Sequence, residues 1–393
     1  MIEAVSQDDH YDLIVIGAGI HGAGVAQVAS AAGYRVLLLE QYDRPALATS
    51  SKSSKLIHGG LRYLENAQFA MVRECLRERS YLLSNAPQLV ILNRFYIPVY
   101  KTTSRRPWKI ALGLALYSVL SRQRFRRVRR RRWERLDGLN SKDLDAVFCY
   151  YDALTDDARL TRAVLASAQS LGARLIYNCE VQSAAAHGEG SMVQCRSADK
   201  AQAFTARVVI NATGPWVDTV HARLSDATPP AISLVQGAHI VLPSRVTHPF
   251  YLESPSDQRA VFVLPWKDRV LVGTTETAFA GDPATVSASP AEIEYLLEIY
   301  NHYFSCSHTA EDVIEAFAGL RVLPAGEGSL FSRSRDTVFV RDHETRPRVV
   351  SILGGKLTAY RATAEKLVNS LKPHLPAREA IADTTHLLLP LVD

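Results

Sequence analysis

The sequence predicts an α/β fold: a Rossmann-type parallel sheet that holds a dinucleotide, with an antiparallel β-rich domain inserted into it. Three observations carry that expectation. A glycine fingerprint lies between two apolar runs near the N-terminus, two apolar runs far downstream also end in glycine turns, and a β-rich block separates those two. With 393 residues, 47% hydrophobic and 22% charged, the composition is ordinary for a globular protein but too long for one core.

The first strand is Leu13-Ile14-Val15-Ile16, continuously apolar as a strand covered on both faces must be. It runs into Gly17-Ala18-Gly19-Ile20-His21-Gly22, a G-x-G-x-x-G turn. Gly17 permits the sharp turn, Gly19 lets backbone N–H groups approach a pyrophosphate, and Gly22 lets the next helix pack close to the strand. That helix, from Ile20 to about Ala32, consists mostly of small residues and presents a positive N-terminus to the phosphates. The second strand, Arg35–Leu39, ends at Glu40, where a carboxylate accepts bonds from ribose hydroxyls. An acid there favours an unphosphorylated ribose.

Gln41–Gly60 follows as a hydroxyl-rich loop containing Thr49, Ser50, Ser51, Lys52, Ser53, Ser54, Lys55 and Leu56. Its hydroxyls, backbone donors and two lysines suit a diphosphate, and His58, Arg62 and Tyr63 just beyond suit a polar ligand. Asn66–Asn85 has an amphipathic helical pattern that Pro87 stops. Phe95–Tyr100 is a short strand, and Arg105–Leu120 is a helix with a basic run after it. Asp156 and Asp157 are starters for a helix over Ala158–Leu171, closed by Gly172. Strands Arg174–Tyr177, Val181–Ala185, Met192–Arg196 and Phe204–Ile210 come next, the last ending in Asn211-Ala212-Thr213-Gly214-Pro215-Trp216. Ala238–Leu242, Ala260–Leu264 and Val270–Gly273 form the β-rich middle. Pro290–Tyr303 is a helix, and Glu311–Leu320 is a strand or a short helix. Val338–Val340 and Val349–Leu353 are strands. The second ends in Gly354-Gly355-Lys356-Leu357-Thr358 and gives way to a helix reaching about Leu371.

Ligands of open α/β sheets sit at the carboxyl ends of the strands. Three glycine-ended strands can therefore line an extended cofactor: adenine and pyrophosphate at the first, the middle at the second, the ring at the third. A helix N-terminus after Gly355 would face the pyrimidine edge of a flavin and stabilise its negative charge. A simple nicotinamide enzyme has no use for a third glycine end, so FAD is preferred over NAD. The fold class is thus a Rossmann-type FAD-binding parallel sheet with an inserted antiparallel β-rich substrate domain. The expected organisation is 1–85, first part of the FAD-binding domain; 86–150, a helical and basic insertion; 151–225, its second part; 226–330, the β-rich substrate-binding domain; and 331–393, its last part.

Composition excludes several classes. The five cysteines, Cys75, Cys149, Cys179, Cys195 and Cys306, show no metal-binding spacing and are odd in number. Reduced cytoplasmic thiols are expected, with no disulfide framework and no metal. Met1–His10 is polar and acidic, so no signal peptide is expected. No apolar run reaches the length of a spanning helix. The longest, Trp108–Leu120, suits a core or interfacial helix. Nine arginines follow between Arg122 and Arg135. Trp108–Arg135 can therefore rest on an anionic membrane surface, giving a cytoplasmic protein peripheral to the inner face of the membrane; a solvated basic loop is the alternative. A net charge of +5 without interleaved aromatics gives no support for nucleic-acid binding.

Five stretches resemble the FAD-dependent glycerol-3-phosphate dehydrogenases of the glycine/D-amino-acid oxidase clan. They are Asp12–Gly24, Ala48–Glu65 with its Ser-Lys-Leu-Ile-His-Gly-Gly-Leu-Arg-Tyr-Leu run, Asn211–Val217, Gly273–Glu276, and Gly354–Arg361. The resemblance implies oxidation of sn-glycerol 3-phosphate to dihydroxyacetone phosphate by hydride transfer to flavin N5, with electrons passed to a quinone, or to oxygen in oxidase relatives. It implies a phosphate clamp of Arg62, Tyr63, Arg335 and Lys356. Arg321 would orient the C2 oxygen, and His58 and His239 are the candidate proton acceptors. The implied cofactor contacts are Gly17, Gly19, Ile20, Gly22 and Glu40; Thr49, Ser50, Ser54, Lys55 and Leu56; Val181, Ala212, Gly214 and Trp216; and Gly354, Gly355, Lys356, Leu357 and Thr358. The pattern is departed from at His21 (usually Asn), Val322 (usually Pro) and Glu276 (usually Asp), and in the arginine run. Family members continue into a C-terminal helical domain whereas this sequence stops at Asp393, so a short form is expected. An oxidase of a 2-hydroxy acid or amino acid on the same fold is the alternative, and would need a carboxylate clamp of one Arg with a Tyr.

Overall fold

The computed structural model describes residues 9–64, 67–197, 200–325 and 336–392. Strand His10–Ile16 is buried beyond its first residue because it has parallel neighbours on both edges, Lys200–Asn211 and Val36–Leu39. Val349–Leu353 lies parallel beyond Lys200–Asn211, and Arg174–Ile176 parallel beyond Val36–Leu39. An antiparallel edge strand, Val338–Arg341, closes one side. The order across the sheet makes the three glycine-ended strands immediate neighbours. Ile16 pairs with Asn211, and Asn211 with Ser351, so the three turns open side by side.

Helices Ile20–Ala31, Asp157–Ser170 and Tyr360–Leu371 cover one face of this sheet around a core that includes Leu13, Val25, Leu160, Val164 and Leu367. The meander Cys179–His187 and Gly190–Ser197, with helix Val217–Leu224, covers the other. Asp156 caps helix Asp157–Ser170, its side chain accepting from Arg159 N at 3.1 Å. Helix Pro290–Tyr303 has the predicted bounds, set by a capping box between Ser289 and Glu292.

A second sheet of ten strands stands over the carboxyl ends of the first. Ile232–Leu242 is its spine, pairing with Glu315–Pro324, Arg269–Gly273 and Thr277–Phe279. Segment 86–150 is not mainly helical. It contributes Val90–Tyr100 and Leu144–Thr155, paired antiparallel along their length, and only the middle is helix and basic loop. Polar residues such as Asn93, Arg94 and Asp152 break the apolar pattern of these strands, because they face the site or solvent. Glu311–Leu320 resolves into a 3-10 turn, Ala310–Asp312, and strand Glu315–Pro324. The last helix starts at Tyr360, five residues after Gly355, so no helix N-terminus adjoins that glycine pair.

Two glycines of the fingerprint are required by space. A Cβ on Gly17, whose φ is +100°, would lie 2.8 Å from Ala212 O, and one on Gly22 would lie 1.9 Å from Gly17 O. Gly22→Ala is expected to push the helix off the strand and lower unfolding free energy by about 1–3 kcal/mol, read as a lower melting temperature in thermal denaturation.

Candidate active site

The three turns, the 41–63 loop and the inner face of the second sheet enclose one cavity of about 790 Å³, within the range of small-molecule and cofactor sites. At the first end, Gly17, Gly19 and Ile20 line it. Gly19 caps the helix without a side chain and no acid sits in the first turn, leaving the positive end uncompensated. Ser50 Oγ accepts from Ile20 N at 2.9 Å, which brings the loop to the phosphate position. Gly22 does not reach the cavity; its part is the close packing already described. Glu40 does reach it. Its two oxygens accept from Ala18 N at 2.6 Å and Tyr42 N at 3.0 Å, leaving acceptor capacity for ribose hydroxyls. Burial raises its pKa above the ordinary carboxylate value, while the backbone donors hold it down.

Ala212, Gly214, Trp216 and Val181 line the middle. Beneath them Asn211, fully buried, donates from Nδ2 to Val217 O at 2.8 Å and Ser351 Oγ at 3.1 Å, tying the second turn to the third strand. At the third end are Gly354, Gly355, Lys356, Leu357 and Thr358. A Cβ on Gly355 would stand 2.1 Å from His21 Nε2, so the first and third turns touch through that imidazole. Burial pushes the His21 pKa down to about 4.

Thr49, Ser50, Ser54 and Leu56 face the cavity, and Thr49 Oγ1 donates to Leu320 O at 2.8 Å, which anchors the loop to the second sheet. Lys55, expected at the cofactor, is turned away. Its ammonium meets Asp157 Oδ1 at 2.5 Å and Ser51 O at 2.6 Å, and Ser53 adds two further bonds to Asp157. Asp157 is fully buried and needs that counter-charge. The pair staples the loop to helix Asp157–Ser170.

His58, Arg62, Tyr63, His239, Arg321 and Lys356 also line the cavity. Lys356 Nζ lies 4.6 Å from the Tyr63 ring centre. His58 N donates to Thr358 Oγ1 at 3.1 Å, and its ring lies beside Tyr63. Arg321 forms an ion pair with Glu276. His239 stacks on Phe317 at 5.1 Å, with Nε2 2.9 Å from Ser54 Oγ. Burial first, then the charges of Lys55 and Arg321, push its pKa down to about 3. It is therefore a neutral group at working pH and a weak base, against the expectation of an imidazole titrating near neutrality. Arg335 lies outside the described residues. Sequence reasoning missed Arg259, whose Nη1 donates to Glu276 O at 2.9 Å, and the aromatic walls Tyr150, Tyr251 and Phe262. No motif marks them; they converge only through the second sheet. Among the described residues no cluster of side chains could hold a metal ion.

The cavity fits FAD: a helix N-terminus and tight glycine turn for the pyrophosphate, a buried carboxylate for the ribose, and two further turns along its length. Residues 12–361 match the model of the FAD-dependent oxidoreductase family, and the chain belongs to that family. It is 36% identical to D-erythritol 1-phosphate dehydrogenase of Brucella abortus over 97% of this chain and 77% of that one. It is 38% identical to the aerobic glycerol-3-phosphate dehydrogenase of Escherichia coli, over 92% of this chain and 74% of that one. Among solved structures, the glycerol-3-phosphate dehydrogenase of Bacillus halodurans complexed with FAD superposes with a TM-score of 0.75 at 28% identity, over 98% of this chain and 68% of that one. The cofactor is FAD.

Lys55→Met leaves Asp157 buried and unpaired. A loss of about 3–5 kcal/mol of stability is expected in denaturant unfolding, with flavin still bound to the folded fraction. His239 and His21 bind protons more readily unfolded than folded. Their contribution to stability is thus intact above pH 6.5 and lost as pH falls toward 4. His239→Gln should flatten that part of the stability–pH curve by about 1.4 kcal/mol per pH unit.

Proposed function

We propose that the protein oxidises sn-glycerol 3-phosphate to dihydroxyacetone phosphate and passes the electrons to a quinone. The observation that carries this is that four cations, Arg62, Arg259, Arg321 and Lys356, line the same FAD-sized cavity as the buried carboxylate Glu40. A hydroxy-acid or amino-acid oxidase would need one Arg with a Tyr. Relatives named for phosphorylated polyols agree with the richer cluster.

FAD, when bound, supplies a hydride acceptor, so loss of the C2 hydrogen leaves a ketone. The chain's residues bind, orient and deprotonate. The phosphate dianion is assigned to Arg62 and Lys356, the Tyr63 ring placing the Lys356 ammonium, and Arg321 forms an ion pair with Glu276. Arg335, which the family resemblance adds to this clamp, lies outside the described residues. Arg321 directs its guanidinium to the C2 oxygen. His58 takes the C2 hydroxyl proton at a ring nitrogen. His239 stays neutral and holds Ser54 in place.

Electron delivery to a membrane quinone gives helix Pro107–Ser121 a role. Trp108, Leu112, Leu116 and Val119 stand 64%, 66%, 39% and 75% exposed on it, and all nine arginines of the following run are exposed. Among the described residues no helix is long and apolar enough to cross a membrane. Such a surface lies on an anionic bilayer, each cation contributing about 1 kcal/mol near the headgroups.

Anaerobic mixing tests the chemistry. sn-Glycerol 3-phosphate should bleach the visible flavin band, lactate and glycine should not, and D-erythritol 1-phosphate run alongside sets the preferred polyol length. Bleaching by no polyol phosphate rejects the assignment. Lys356→Ala and Arg62→Ala should each raise KM by about tenfold or more in steady-state assays with a soluble quinone. Co-sedimentation with phosphatidylglycerol vesicles, weakened at high salt and absent with neutral vesicles, is expected for the docking surface.

A further inference from the structure

The loop that carries His58, Arg62 and Tyr63 is held from behind by a buried charge. Asp152, on strand Leu144–Thr155, is 2% exposed. Its Oδ1 accepts three bonds, from Arg79 Nη1 at 2.5 Å, Tyr117 Oη at 2.7 Å and Gly59 N at 3.1 Å. The Gly59 N–H is shared, donating to Tyr117 Oη at 3.0 Å as well. Arg79 Nη1 also donates to Tyr151 O at 3.0 Å. On the other side of the loop the His58 N–H is taken by Thr358, next to the third glycine turn. Two successive backbone N–H groups of one short loop are thus pinned to opposite walls. The space allows no slippage. A Cβ on Gly59 would lie 2.3 Å from Leu76 Cδ2 and 2.4 Å from Tyr117 Oη, and one on Gly60 would lie 2.1 Å from the Tyr63 ring.

A buried ion pair is a poor source of stability compared with apolar packing of the same volume. Leu76, Phe95 and Tyr150 already supply an apolar cluster around Tyr117. What the charge adds is direction: an ionised carboxylate at a fixed point that selects one position of the Gly59 amide. Burial and the Asp152 charge push the Tyr117 phenol well up, so it stays a donor throughout the working range.

We propose that Asp152, Arg79 and Tyr117 are positioning residues that fix the His58–Tyr63 loop against the substrate, and that Tyr117 makes helix Pro107–Ser121 part of that fixture. The helix turns Leu114 and Tyr117 inward and Trp108, Leu112, Leu116 and Val119 outward. The surface that meets lipid is therefore one side chain away from the loop that meets substrate. The substrate part of this inference rests on the polyol-phosphate reading.

Tyr117→Phe tests it, because the ring and its packing stay and only the hydroxyl goes. The FAD-loaded variant should keep its flavin content and its melting temperature within a few degrees. KM for sn-glycerol 3-phosphate, and the dissociation constant of inorganic phosphate read from the flavin spectrum, should both rise about three- to tenfold, one hydrogen bond's worth. Amide exchange of the peptide containing Gly59 should accelerate. Asp152→Asn, which keeps the shape, should do the same more strongly. Unchanged KM, phosphate binding and exchange would overturn the proposal, as would losses that only track melting temperature. Phosphatidylglycerol vesicles should alter wild-type KM and leave Tyr117→Phe unaffected. An equal response in both, including none, removes the helix from the fixture. If wild type oxidises no polyol phosphate, the substrate reading fails, while exchange at Gly59 still judges the positioning role.

Discussion

Parallel pairing of Lys200–Asn211 with His10–Ile16 on one edge and Val349–Leu353 on the other decides where the cofactor lies. Parallel strands put all their carboxyl ends on one side, and the register sets Ile16, Asn211 and Ser351 level across the sheet. Each strand then has to leave the sheet at nearly the same height, and each does so through glycine. A slip of one residue would reverse every side chain on the slipped strand, burying polar Asn211 among the apolar helices. The contact of His21 with Gly355 exists only in this register.

The two sheets share apolar packing: Ile57, Val90 and Ala153 of the second join the helix-side core of the first, and Val322 of the second packs with Leu353 of the first. Buried ion pairs add direction: Lys55–Asp157 ties the hydroxyl-rich loop to helix Asp157–Ser170, and Arg361 makes a bidentate pair, at 2.8 and 2.7 Å, with Glu78 of helix Phe69–Asn85. Directional links of this kind specify a relative placement, which an apolar contact alone leaves soft. A site that must hold a flavin and a substrate on facing walls depends on such placement.

The strand-and-turn skeleton of the first sheet was legible in the sequence because its signals are local: an apolar run, a glycine pair, an acid at the next strand's end. The same holds for helix Pro290–Tyr303, whose capping box is written in Ser289 and Glu292. The long strands Val90–Tyr100 and Leu144–Thr155 were not legible at full length. Asn93, Arg94 and Asp152 interrupt their periodicity, and Arg94 and Asp152 find their partners, Tyr151 and Arg79, far away in sequence. Lys55 misled for a related reason. A lysine in a hydroxyl-rich loop reads as a phosphate ligand until Asp157, a hundred residues on, is seen to be buried beside it. For His239 the residue type suggests a base, but desolvation and two neighbouring cations are tertiary facts.

Charge is distributed along the cavity in a way that orders its contents. Glu40 contributes a buried carboxylate to the lining, the helix N-terminus at Gly19 offers positive potential to a diphosphate, and the cations Arg62, Arg259, Arg321 and Lys356 line the same cavity. Of those four, Arg321 is paired with the Glu276 carboxylate, and Arg259 is bonded to the carbonyl of the same residue. Lys356 lies over the Tyr63 ring, and in the proposed reading it meets the phosphate together with Arg62. In the proposed reading a phosphorylated alcohol takes one orientation, its phosphate toward Arg62 and Lys356 and its carbinol toward Arg321 and His58. Without that asymmetry a small polyol phosphate could enter either way round, and only one way presents the C2 hydrogen for removal.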